Sequence, residues 1–280
     1  MNGAHICQQI HPDVNRDTPT YTSKHSSLKT AGTMATTTSA DSNPPPFVPL
    51  PGDDDQQSIF YHTIASMVRT SHHKCGFLVY RVSYDDDAAW QRVLHIFRRV
   101  TEVRATNKGK THLLPYLAYT PMEDRDRFEG ASKDTIREYF RDWVHERSVE
   151  RDGPGASPEN EELTRWLPRY KACLYVDKEA MDGASIREIG FFAEPYCYVE
   201  GTGVVIDGQF GEHDRDVINR AIGRAREEFK PIEGRTGWDV GWMYFRLYLP
   251  PALYENLSMS EDEWAGSYFY KRPPGVYIGF

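Results

Sequence analysis

"FLVYRVSY", residues 77–84, is the stretch on which the fold turns. It is rich in β-branched and aromatic residues, and it is apolar on both alternating faces except at Arg81 and Ser83. A half-buried strand would alternate apolar and polar residues. This one predicts a central strand, covered on both faces or covered on one of them by a partner subunit. Directly after it, Asp85, Asp86 and Asp87 stand where a helix begins, suited to the orphan N–H groups and the positive dipole end. Trp90, Val93, Leu94, Phe97 and Val100 then fall on one apolar helical face, and "NKGK" (107–110) ends the helix.

Downstream, "HLLPYLAYT" (112–120) predicts the next strand. Pro115 removes a ladder donor, which places that strand at an edge or on a bulge. Ile136, Phe140, Trp143 and Val144 mark a second amphipathic helix. A loop at 151–162 and a short helix to Leu167 lead into the strand "RYKACLYVD" (169–177). "FFAEPYCYVEGTGVVIDG" (191–208) reads as one or two strands, "DRDVINRAIGRAREEF" (214–229) as a helix and "GWMYFRLYLP" (241–250) as the last clear strand. Upstream, "SIFYHTIASMV" (58–68) reads as a short amphipathic helix. This order predicts an α+β domain over residues 57–280, with a mostly antiparallel sheet and its helices on one face, in a ferredoxin-like arrangement. The open sheet face would pair with a second subunit or hold a ligand. No glycine fingerprint follows the first strand, which argues against a dinucleotide fold.

Two similar stretches punctuate this order: Gly130-Ala131-Ser132 and Gly183-Ala184-Ser185. Each serine is expected to cap a helix. Ser132 would act alone, and Ser185 would complete a capping box with Glu188.

Residues 1–56 predict a disordered tail. The first fifty hold thirteen Ser or Thr and six Pro, a composition that buries too little apolar surface to offset its ordering entropy. Met34 is an alternative start to Met1, since nothing before it carries a structural signal. The net charge of −8 falls entirely on residues 51–280, because the first fifty are neutral. An acidic body repels phosphate backbones and anionic lipid, so nucleic acid and membrane surfaces are not expected partners. No stretch reaches the ~20 apolar residues of a membrane span. Cys7, Cys75, Cys173 and Cys197 lack zinc or CxxC spacing and read as reduced thiols, which points to the cytoplasm and leaves the nucleus open.

Candidate chemistry is sparse. Ser71-His72-His73-Lys74-Cys75 holds three potential ligands, with His112 as a further one, but adjacent histidines seldom aim at one ion, so neither a metal nor a cofactor is expected. No GxSxG, HExxH or Walker loop occurs. "REYFRDWVHER" (137–147) reads as a salt-bridged helix, with Glu138, Asp142 and Glu146 offsetting its arginines. More informative are charges inside strands. Arg81 and Arg246 each sit mid-strand, and a covered guanidinium must pair with a carboxylate or bind an anion. With Glu194 as partner and Tyr80, Tyr175 and Tyr244 converging, they would form an aromatic pocket with a polar floor.

The segments "GFLVYRVSYDDDAAWQRV", "FEGASKDTIREYFRDWV", "PRYKACLYVD" and "DVGWMYFRLYLPPALYENL", with a closing "YFYKRPP", resemble a family of fungal (ascomycete) proteins of unknown function. The resemblance covers roughly residues 76–274. Glu129 replaces the family's usual Asp before the first Gly-Ala-Ser, and 257–267 departs from its pattern. The resemblance implies a fungal source and a setting near secondary metabolism or self-recognition, and it carries over no catalytic residue. The expected function is therefore a non-catalytic intracellular binding or interaction protein, whose partner is a small molecule, another protein or a second copy. The competing expectation is a cofactor-independent lyase or cyclase using the Arg81–Arg246 pocket.

Overall fold

The structure is a computed structural model of the chain, and it describes residues 45–189, 196–211, 229–261, 264 and 269–279. Its strands are β1 (Leu78–Arg81), β2 (Thr120–Met122), β3 (Ala172–Val176), β4 (Ser185–Ile189), β5 (Tyr196–Glu200), β6 (Thr202–Asp207), β7 (Trp242–Arg246) and β8 (Val276–Tyr277). Its helices are α1 (Tyr61–Thr70), α2 (Asp87–Asn107), α3 (Arg125–Phe128), α4 (Lys133–His145), α5 (Val149–Asp152), α6 (Glu162–Trp166), α7 (Lys178–Gly183) and α8 (Pro250–Leu257). β1 is buried along its whole length, inside a six-stranded sheet of order β2-β1-β3-β6-β7-β8. β4 and β5 form a separate antiparallel ribbon.

The chain is α+β, but the sheet is mixed where a mostly antiparallel one was expected. β1 runs parallel to both β2 and β3, and β7 runs parallel to β8. Only β3–β6 and β6–β7 within this sheet are antiparallel. Helices cover both faces, in place of the one-sided ferredoxin-like layer. The reason lies in the crossovers. The chain moves outward from β1 to β2 through α2, then back past β1 to β3 through α3–α6. Crossovers of one hand that run in opposite directions must pass over opposite faces.

The strand register makes each face a continuous row. Val79, Leu174, Val205 and Met243 align across four strands on the face that meets α2, in one core with Trp90, Val93 and Phe97. Tyr80, Tyr175, Val204 and Tyr244 align on the other face, where Ile136 and Phe140 of α4 pack. Each large apolar side chain buried this way contributes about 2 kcal/mol.

Local signals account for several elements. Asp86 caps α2, its carboxylate accepting from the Ala89 N–H at 2.9 Å. Ser132 caps α4 through the Thr135 N–H at 3.1 Å. Ser185 does not open a helix. It is the first residue of β4, and its hydroxyl donates to Glu200 at 3.0 Å. The helix in this region is α7, which ends at Gly183 and is capped by Asp177 through the Ala180 N–H. The expected strand at 112–120 is mostly a 3-10 helix, Thr111–Tyr116 with Pro115 inside it, and only Thr120–Met122 joins the sheet, at its edge. Residues 45–56 belong to the fold, not to a tail. Phe47 is buried beside Tyr116, and the buried Asp53 carboxylate accepts from Lys110 at 2.7 Å and His112 at 3.0 Å. The expected tail over 1–44 and the helix over 214–229, Phe229 apart, lie outside the described residues. No helix among the described residues is long and apolar enough to cross a membrane.

Candidate functional site

Of the residues expected to form a pocket, Arg81 lies on one face of the sheet and Arg246, Tyr80, Tyr175 and Tyr244 lie on the other. Arg81 is 4% exposed and points to the α2 face. There it lies 2.5 Å from Asp87 and 3.4 Å from Glu123, and its Nε donates to the Ser83 carbonyl at 2.9 Å. Trp90 Nε1 donates to the same Glu123 at 2.9 Å, and the guanidinium stands 4.5 Å from the Tyr84 ring centre. All three guanidinium nitrogens of Arg81 thus have protein partners. Arg246 is exposed at the end of β7, on the opposite face, in register with Thr202. Tyr80, Tyr175 and Tyr244 share that opposite face, where the Tyr175 hydroxyl donates to the Ala131 carbonyl and Tyr244 packs edge-on against Trp242. Glu194 lies outside the described residues.

The histidine cluster is likewise used by the fold. His73 Nδ1 accepts from the Phe47 N–H at 3.0 Å, and Cys75 donates to the Tyr116 carbonyl. His72 is buried with Nδ1 3.0 Å from the Pro154 carbonyl. A carbonyl only accepts, so Nδ1 carries the proton and Nε2 is left as an acceptor. Burial pushes the His72 pKa down to about 4, and the ring is neutral.

A different cavity, of about 360 Å³, opens between α4 and the exit of β6. α4 contributes Phe140, Arg141, Asp142, Val144 and His145, the segment after it contributes Arg147, and Thr164, Tyr170, Gly208 and Gln209 line the rest. The exit of β6 is held close by Gly208, where a Cβ would run into the Phe140 ring. Arg141 ties α4 to this exit by donating to the Gly208 and Phe210 carbonyls. Gln209 is fixed by donating to the Thr164 carbonyl at 2.7 Å.

Two polar atoms of this lining have no hydrogen-bond partner among the described residues. Tyr170 is 2% exposed, its ring stacked on Trp143 at 5.4 Å and edge-on to His72 at 5.5 Å, and its hydroxyl has no hydrogen-bond partner. Burial pushes the phenol pKa up, so the hydroxyl keeps its proton. Arg147 spends its terminal nitrogens on the Val144 and Pro158 carbonyls, but its buried Nε–H is unpartnered. An orphaned buried donor costs about 1–3 kcal/mol, and the cost vanishes when a ligand supplies an acceptor.

Sequence reasoning missed this site because it paired the arginines of 137–147 along their own helix. Arg137 does meet Asp134, yet it also donates to the Asp207 and Gly241 carbonyls at 2.8 Å, and Arg141 and Arg147 likewise turn to carbonyls. The available signal was a run of arginines beside a core aromatic stripe. Compared with known proteins, the chain matches no family, no curated protein and no solved structure.

Proposed function

We propose that the chain is a non-catalytic intracellular binding protein, and that the cavity beneath α4 takes a small organic carboxylate. One observation carries this reading: a buried Tyr170 hydroxyl and a buried Arg147 Nε–H, neither with a partner among the described residues, line the same cavity. Both groups donate, and a carboxylate offers two acceptor oxygens. Phe140 and Val144 give the ligand body an apolar wall. An intracellular setting is supported by Cys75, Cys173 and Cys197, which are all free thiols.

Butyrate, a carboxylate with an aliphatic body, is a suitable probe. Calorimetric titration of the wild type should show one saturable site, and Tyr170→Phe should weaken it about tenfold, near the worth of one hydrogen bond to a charged acceptor. The same variant should unfold no earlier than the wild type, because it removes an orphaned donor and keeps the ring. Unchanged affinity in Tyr170→Phe, or no binding to the folded wild type, rejects the proposal.

A further inference from the structure

A second cavity lies on the far side of the molecule's main helix. α2 presents Val100, Val103 and Arg104 along its last turns, β5 crosses them with Tyr196 and Val199, and Tyr248 closes one end. The groove measures about 430 Å³. Val100, Val103 and Val199 are buried and form an apolar floor.

Arg104 stands out among the cations. Arg92, Arg99, Arg137, Arg141, Arg147, Arg169, Arg235 and Arg272 all place guanidinium nitrogens on a carboxylate or a carbonyl. Arg81 does the same. Among the described residues, Arg104 is the one buried or half-buried arginine that has no hydrogen bond or ion pair; Arg69, Arg98, Arg187 and Arg246, which also have none, are exposed. The neighbouring carboxylates are already engaged: Glu102 and Glu188 both meet Arg99, at 3.4 and 2.7 Å. The ionisable groups near Arg104 from other elements are Tyr119, Tyr248 and Tyr277, with Tyr196, Cys197 and Tyr198 along the groove. Tyr119 shares its hydroxyl with Thr101, and Tyr277 accepts from Asn256. Burial lowers the Arg104 pKa, so the position carries a desolvation cost that no partner in the described chain offsets. The helix C-terminus offers the cation only a dipole worth a fraction of an ion pair.

From this arrangement we infer that the groove between α2 and β5 is a second binding site, for an organic anion with an apolar aromatic body. Arg104 would take the anionic group, and the valine floor with Tyr248 would take the ring. This differs from the cavity beneath α4, whose recognition rests on the Tyr170 phenol and on an Arg147 guanidinium already shared with two carbonyls.

Anilinonaphthalene sulfonate is the probe, since it pairs an aryl body with one sulfonate and reports its own burial by fluorescence. The folded wild type should bind it with one-to-one stoichiometry. Arg104→Met keeps the apolar length and should weaken binding at least about tenfold, while Arg104→Lys should retain an intermediate affinity. Tyr170→Phe should bind the dye as the wild type does, which separates this site from the first. The inference is overturned if Arg104→Met binds equally well, if the folded wild type shows no saturable binding, or if Arg104→Met unfolds well below the wild type, since that would make Arg104 a structural charge.

Discussion

Arg81, buried beside α2, and Arg104, half-buried in its last turn, are opposite kinds of charge. Arg81 sits at the end of β1 with Asp87 on one side and Glu123 on the other, over the Tyr84 ring. Arg104 sits in the last turn of α2 with no carboxylate or carbonyl to hold it among the described residues. A buried charge that the protein itself satisfies belongs to the fold. One that it leaves unsatisfied costs stability, and only a ligand can return that stability.

The largest effect expected from this contrast is at Arg81. Arg81→Met should lower the unfolding free energy by about 3 kcal/mol in urea denaturation, because it breaks the link between β1, α2 and Glu123 and leaves the Ser83 carbonyl short of a donor. Arg104→Met, measured alongside, should change it by no more than about 0.5 kcal/mol. Equal losses in the two variants would erase the distinction.

Asp53 and Glu255 repeat the contrast with the sign reversed. Burial pushes the Asp53 carboxyl up, but hydrogen bonds from Lys110, the Leu50 N–H and His112 outweigh it and hold it below the ordinary aspartate value. Glu255 is 6% exposed and, among the described residues, accepts from neutral donors alone: the His62 N–H at 2.7 Å, the Thr63 N–H at 2.9 Å and the Thr63 hydroxyl at 2.8 Å. Here burial wins and pushes the carboxyl up to about 7. A raised carboxyl stabilises fully below its unfolded value of 4.5, and that stability is lost as pH rises through about 7. Between pH 5 and pH 8 the wild type should therefore lose roughly 2–3 kcal/mol relative to Glu255→Gln, which does not titrate. Asp53 acts at the other end, its contribution present above its ordinary 3.8 and lost as pH falls below it. A flat difference between wild type and Glu255→Gln from pH 5 to pH 8 would show that the neutral donors suffice to keep the carboxylate ionised.

The parts of this molecule that could be read from sequence are those whose cause lies within a few residues. β1, α2 and the Asp86 cap follow from side-chain period and one acidic run. Arg81 was expected to find a carboxylate in a distant strand, but Asp87 from that same acidic run reaches back to it six residues away. The mixed sheet was hidden because antiparallel return and parallel crossover leave similar local patterns. The cavity beneath α4 was hidden for a stronger reason: Tyr170, Arg147 and Gln209 come from three segments, and the orphaned hydroxyl is defined by what fails to approach it. Local pattern says which side chains are apolar or charged. It does not say which of them the fold leaves unsatisfied.

The smallest expected effects put the same question to two neutral side chains in near-identical sequence. Ser132 accepts from the Thr135 N–H, one of the donors that α4 cannot satisfy itself. Ser185 spends its hydroxyl on the exposed Glu200 at the start of β4, because Asp177 has already opened the nearby helix. Ser132→Ala should cost about 1 kcal/mol of unfolding free energy and Ser185→Ala a few tenths. A loss at Ser185 matching that at Ser132 would mean that the Gly-Ala-Ser stretch acts through its own turn. A loss at Ser132 alone would mean that its worth, like that of each buried charge, is set by the partner the fold brings to it.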